Sequence, residues 1–271
     1  MTTEEGRILK RPESDLLNMF RQEILPPTNG AAFPDGVKFV DRRPPFLMVV
    51  HQLPPHVRSL RWIARDSPVE YGPGTKYRPV RLSIPYAITF ALYFERANRL
   101  YLAGANELYF RNEPLRCHSD RLGYPALLNI SRIDHGKRLR SWICTQHLQI
   151  SPDMDWTQQL DALLGHTWNG GFNRSSEDHE GSSWYGESKD IHKDLHPIEQ
   201  WENATKANEV FALGVPWKQA RLTVGELIDC MLEEHGASNP RMRRSASKTL
   251  AGGIVQRFIN FVQNENAKGK E

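Results

Sequence analysis

Cys144 closes a short apolar run, Trp142-Ile143, and is followed by polar Thr145-Gln146-His147. That setting predicts a sulfur exposed at a strand end. A thiolate is the strongest side-chain nucleophile near neutral pH once cations or dipoles lower its pKa. Lys137, Arg138, Arg140 and His147 are the cations nearest in sequence. Acyl transfer through such a sulfur also needs a donor for the developing oxyanion. Asn129, at the end of an expected strand, has a carboxamide that can supply one. Read alone, Cys144 also fits a small buried hydrophobe, the commoner role of a free cysteine.

Other residues carry further chemical options. His192 and His196, within HKDLH, would share one face of a helix and could hold a metal. Lys193 stands where a metalloprotease helix carries glutamate, so that pattern is absent. Arg241, Arg243, Arg244 and Lys248 form a basic cluster, and Lys137, Arg138 and Arg140 a second. Such clusters can meet nucleic-acid phosphates, although short ones more often form a solvated surface. Trp184-Tyr185 falls in a Gly/Ser-rich stretch, where an exposed indole would be an interface hot spot. Gly72-Pro73-Gly74-Thr75-Lys76 lacks the spacing of a phosphate-binding loop, and the chain has no serine nucleophile elbow.

The elements that position these residues follow from apolar periodicity. Leu16, Leu17, Phe20 and Ile24 predict a helix over 12–25, stopped by Pro26-Pro27. Strands are expected at Val37–Asp41, Phe46–Leu53, Ser59–Arg65, Val80–Ile84, Ala87–Phe94, Arg99–Ala103, Glu107–Arg111, Ala126–Ile130 and Arg140–Thr145. The connections within Ala87–Arg111 are too short for parallel crossovers, so an antiparallel meander is expected there. After residue 150 the period becomes helical. Trp156, Leu160, Leu163 and Leu164 share a face behind a capping box, Asp155 with Gln158. Residues 170–196 read as a long polar loop, with a short helix opening near Pro197. Thr223 with Glu226 caps a further helix, and Leu250, Ile254, Phe258 and Val262 predict one over 247–263. Strands first and helices later is an α+β arrangement.

Composition bounds the answer. The chain has 271 residues, long enough for a hydrophobic core without disulfide or metal staples. The 35 Lys and Arg against 32 Asp and Glu leave +3, too small a bias to imply nucleic acid. Three dispersed cysteines do not make a disulfide framework, which favours a reducing, cytoplasmic compartment. No apolar run reaches the roughly 18 residues that a membrane-spanning helix needs.

The segment Leu122–Leu164 resembles the ubiquitin-conjugating-enzyme (UBC-fold) family. The resemblance rests on Tyr124-Pro125, Asn129-Ile130, Gly136, Ile143-Cys144, Ile150-Ser151-Pro152 and the helix with Leu160, Leu163 and Leu164. It is most similar to divergent prokaryotic members of the PRTRC system protein B type, which share a motif like Leu-Tyr-Phe-Arg-Asn-Glu-Pro-Leu (108–115). Pro125 and Asn129 are separated where the family has them adjacent, and Tyr124 replaces its histidine. The resemblance covers about residues 80–165 and implies a UBC-like antiparallel meander, which the upstream helix agrees with. With the periodicity of the rest, the expected fold is α+β: a UBC-like core at 1–169 with an N-terminal helix, a polar loop at 170–196 and a C-terminal helical extension at 197–271. Cys144 would carry a ubiquitin-like modifier as a thioester, Asn129 would stabilise the oxyanion, and an activating-enzyme-like partner would load the sulfur. Neither a metal nor a small cofactor is implied. Two alternatives stay open. One is a non-catalytic interaction component of a phage or mobile-element system, and the other is nucleic-acid binding through Arg241, Arg243 and Arg244.

Overall fold

In a computed structural model of the chain, residues 34–237 are described, apart from positions 98, 137 and 152. The helices expected over 12–25 and 247–263 lie outside the described residues. The strands are β1 (Val37–Arg43), β2 (Phe46–Leu53), β3 (His56–Ile63), β4 (Tyr77–Ile84), β5 (Tyr86–Arg96), β6 (Arg99–Leu102), β7 (Glu107–Arg111), β8 (Arg121–Gly123), β9 (Ile130–Asp134), β10 (Leu139–Ile143), β11 (Gly171–Phe172) and β12 (Gln219–Thr223). The helices are α1 (Trp156–Asn169), α2 (Ser175–Glu180), α3 (Ser188–Ile191), α4 (Ile198–Ala207) and α5 (Val224–Leu232). This is a mixed α+β fold around a large antiparallel sheet.

The main sheet runs β1-β2-β5-β7-β10-β9, with β6 added on β5 and the β8–β12 pair added on β7. Leu47–Gln52 of β2 and Ala87–Tyr93 of β5 are buried without alternation. A strand reads that way when both its faces are covered. The hairpin β3–β4 leaves this sheet and takes β11 as a parallel third strand. The chain then returns, and β5 pairs with β2 from Leu53↔Ala87 to Phe46↔Phe94. α1 packs on β3 and β6, and α5 packs on β2.

The expected meander is a hairpin with a broken return arm. β6 pairs with Tyr93–Arg96 of β5, and β7 with Tyr86–Phe90 along the same edge. Asn106, at the break, mends the ladder. Its Oδ1 accepts the Leu92 N–H at 3.1 Å, while Ala103 N–H donates to the Leu92 carbonyl at 2.7 Å.

Two other expectations change. Ala126–Leu128 is not a strand, and pairing begins at Ile130. These residues are 0–2% exposed, so burial and not pairing explains their apolar character. Pro125, without an N–H, opens the segment and cannot donate to a ladder. Residues 170–196 are not a long loop. They form β11, α2, a 3-10 turn at Trp184–Glu187, α3 and a second 3-10 turn at Lys193–Leu195. The small residues there serve close packing: Ser176, Ser183 and Ser188 are buried. Trp184 is fully buried rather than exposed, stacked on Tyr124 with ring centroids 3.7 Å apart. Its Nε1–H donates to the Arg140 carbonyl at 3.2 Å.

Both expected capping boxes are present. Asp155 accepts the N–H groups of Thr157 and Gln158, and Gln158 reaches back to the Asp155 N–H. Thr223 and Glu226 do the same for α5, whose Val224, Leu227, Ile228 and Met231 are buried. Pro197 precedes α4 as its N-cap. No helix among the described residues is long and apolar enough to cross a membrane.

Candidate functional site

The β9–β10 hairpin brings the two proposed chemical groups to one strand end. Ile130 pairs with Ile143, the last pair of that ladder. One residue further out on each arm stand Asn129 and Cys144. Cys144 is half-buried, with a free thiol. Its carbonyl accepts a hydrogen bond at 2.8 Å from Nε2–H of His166, in the last turn of α1. The strand end and α1 are therefore tied together through the Cys144 backbone.

Asn129 is held by both ends of its carboxamide. Nδ2–H donates to the Gly171 carbonyl at 2.6 Å, and Oδ1 accepts the Asn173 N–H at 2.8 Å. The residue thus pins β11 and the start of α2 to the main sheet. Among the described residues, no hydrogen bond joins Asn129 to Cys144.

Two of the four cations near Cys144 in sequence, Arg138 and Arg140, are engaged elsewhere. Glu107 on β7 is fully buried. Arg138 grips it with two hydrogen bonds, at 2.8 and 2.7 Å, and Arg140 adds a third at 3.1 Å. Tyr109 donates its hydroxyl to the same carboxylate at 2.7 Å. Burial alone would raise the Glu107 carboxyl, but the hydrogen bonds and charge of Arg138, with the charge of Arg140, hold it below the ordinary value. Arg138 also holds Glu234, at 3.0 and 2.8 Å. That carboxyl is likewise lowered, burial opposing and Arg138 prevailing. Cys230, 3.4 Å from Glu234, is pushed up by burial and by that negative neighbour. His147 is exposed, and Lys137 lies outside the described residues.

This ionic cluster was missed at the level of sequence, though a signal exists. Glu107 opens an otherwise buried strand, Glu-Leu-Tyr-Phe, and Arg138 and Arg140 are two apart, as residues on one face of a strand would be. A buried carboxylate needs such partners.

His192 and His196 flank the 3-10 turn Lys193–Leu195 and do not share a helix face. His192 accepts the Asp194 N–H at 3.2 Å, and His196 Nδ1 lies 3.2 Å from Ser188 Oγ. Among the described residues no group of three or more His, Cys, Asp or Glu is arranged to hold a metal ion. Arg241, Arg243 and Arg244 lie outside the described residues. Comparison of the chain with protein-family models, with curated proteins and with solved structures gives no match.

Proposed function

We propose that the chain is a thioester carrier of the ubiquitin-conjugating type, with Cys144 as its nucleophile and a ubiquitin-like modifier as its cargo. The observation that carries this reading is the end of the β9–β10 ladder. Asn129 and Cys144 flank the Ile130↔Ile143 pair, and Cys144 is a half-buried residue with a free thiol. The order of parts supports it as well: antiparallel strands, Asn129, Cys144 and then the capped helix α1. Trp184, the residue on which an interaction surface was expected to rest, is buried.

In the proposed loading step the Cys144 thiolate attacks the carbonyl of an incoming thioester. The tetrahedral intermediate expels the donor thiolate, and the acyl group stays on Sγ. In the second step an amine attacks that acyl carbonyl, loses a proton to solvent and displaces the Cys144 thiolate. A carboxamide nitrogen has two hydrogens. Gly171 engages one in Asn129, and the other is the proposed donor to the oxyanion of the second step.

The test is transthiolation without an activating enzyme. The native protein is incubated with a peptide thioester ending in Gly-Gly, and the acyl mass is located by tryptic mapping. The expected result is a hydroxylamine-labile adduct on Cys144 that is lost in Cys144→Ala and kept in Cys117→Ala and Cys230→Ala. An adduct on exposed Cys117 instead, or none on Cys144, overturns the proposal.

A further inference from the structure

β3 turns alternate residues toward the core. Leu60 and Trp62 are buried, while Ser59 and Arg61 between and beside them are exposed. By the same period of two, Arg58 belongs to the inward row. It is half-buried there, and its guanidinium lies over the ring of Trp168, 4.6 Å from the centroid. Trp168, at the end of α1, is 3% exposed, and its Nε1–H has no hydrogen-bond partner. Nε of Arg58 is likewise closed off without a partner, so the open edge of the guanidinium is its two terminal nitrogens.

Among the described residues the other arginines that are buried or half-buried are Arg42, Arg78, Arg111, Arg132, Arg138 and Arg140. Each of them pairs with a carboxylate. Arg58 has no such partner, and burial lowers its pKa unopposed. A charge withdrawn from water without a partner is costly. Two residues back on the same row, His56 donates Nδ1–H to the Pro54 carbonyl at 2.9 Å. Burial, and then the charge of Arg58, hold His56 below its ordinary value of 6.5 against that hydrogen bond. Near neutral pH, therefore, Arg58 is the cation of this row and His56 is not. Among the described residues no other charged group acts on either side chain.

We propose that Arg58 anchors a carboxylate-binding site whose occupant is an aspartate or glutamate side chain of a partner protein. The two terminal nitrogens form a planar fork, which a carboxylate meets with two parallel hydrogen bonds. Trp168 holds the guanidinium plane from beneath, so the fork is oriented before anything binds. Since only the tip is open, the site grips a carboxylate and little of what carries it. The rest of the affinity has to come from contacts elsewhere, as it does for a side chain on a docked protein and not for a free small acid. One carboxylate cancels the charge of Arg58. A phosphate dianion would bring a second, uncompensated charge to a half-buried place.

The site is tested on the full chain by proton–nitrogen correlation NMR, with the Nε–H of Arg58 and the Nε1–H of Trp168 as reporters. The probes are a capped Gly-Gly-Glu-Gly-Gly peptide, the same peptide with glutamine, and inorganic phosphate, all at one ionic strength. The glutamate peptide is expected to shift both reporters saturably in the millimolar range. The glutamine peptide should be weaker by about tenfold or more, the usual worth of a charge-assisted contact. Phosphate should be weaker than the glutamate peptide. Arg58→Lys keeps the charge and loses the fork, so the Trp168 response to the glutamate peptide should weaken by a similar factor while the circular dichroism stays unchanged. Cys144→Ala should respond as the parent does, because the site does not depend on the reading of that cysteine. The proposal is overturned if neither reporter moves with the glutamate peptide, if the glutamine peptide or phosphate binds as well, or if Arg58→Lys retains the full response.

Discussion

Glu107 is a fully buried carboxylate that keeps its charge, and every polar atom it presents is answered. Breaking such a cluster on one side is costly because the other charge stays buried and uncompensated. Glu107→Gln is therefore expected to lower unfolding stability by about 3–5 kcal/mol, read from the urea midpoint. Arg43→Ala, at an exposed pair with Asp41 and Asp229, should cost under about 1 kcal/mol in the same assay. Asn129 separates positioning from chemistry. If its free amide hydrogen serves the oxyanion, Asn129→Ala should slow aminolysis of a preloaded Cys144 thioester by roughly a hundredfold. Loading should be nearly unchanged. A purely structural role, through Gly171 and Asn173, would impair both steps together. Cys144 and Asn129 could be singled out in the chain because their chemistry is local to each residue. The use of Arg138 and Arg140 could not, because Glu107 lies about thirty residues away and meets them only through strand pairing.

Local signals were reliable where an element answers its own chemical demands. The two capping boxes satisfy helix N–H groups from within four residues of chain, so their sequence signature is complete. Asp155→Ala is expected to cost about 1 kcal/mol, measured by thermal or urea unfolding. β2 and β7 matched expectation at both ends because turn residues bound their apolar runs. Elements that depend on distant partners were read less well. β6 and β7 became one interrupted arm, since only the position of β5 decides which edge each occupies. Gln159 completes that edge from α1: Oε1 accepts the Leu102 N–H at 2.7 Å, and Nε2 donates to the Leu100 carbonyl at 2.9 Å. Two-residue β11 carries no pattern of its own and exists because β3 is beside it.

For the molecule as a whole, buried and half-buried titratable groups set the acid limit of stability. His56 and His235 are held below the ordinary value of 6.5, burial being the largest cause in both. The unfolded chain therefore binds more protons than the folded one once pH drops through about 6.5, and stability falls there. Glu107 and Glu234 are held below 4.5, so their contribution is complete above that value. It is lost as pH falls through their folded values. Melting temperature followed from about pH 8 to about pH 3 should show two successive acid limbs. His235→Gln should reduce the upper one alone. A curve flat down to about pH 5 would contradict the histidine assignment. Sequence by itself determined the α+β class, the cysteine-centred strand end and the caps of α1 and α5, because periodicity, turn chemistry and capping act over a few residues. Only the tertiary structure decided the burial of Trp184, the ordering of 170–196 and the Glu107 ion cluster. Each of these depends on atoms that the chain brings together from far apart, and burial turns their ordinary polarity into a strict demand for partners.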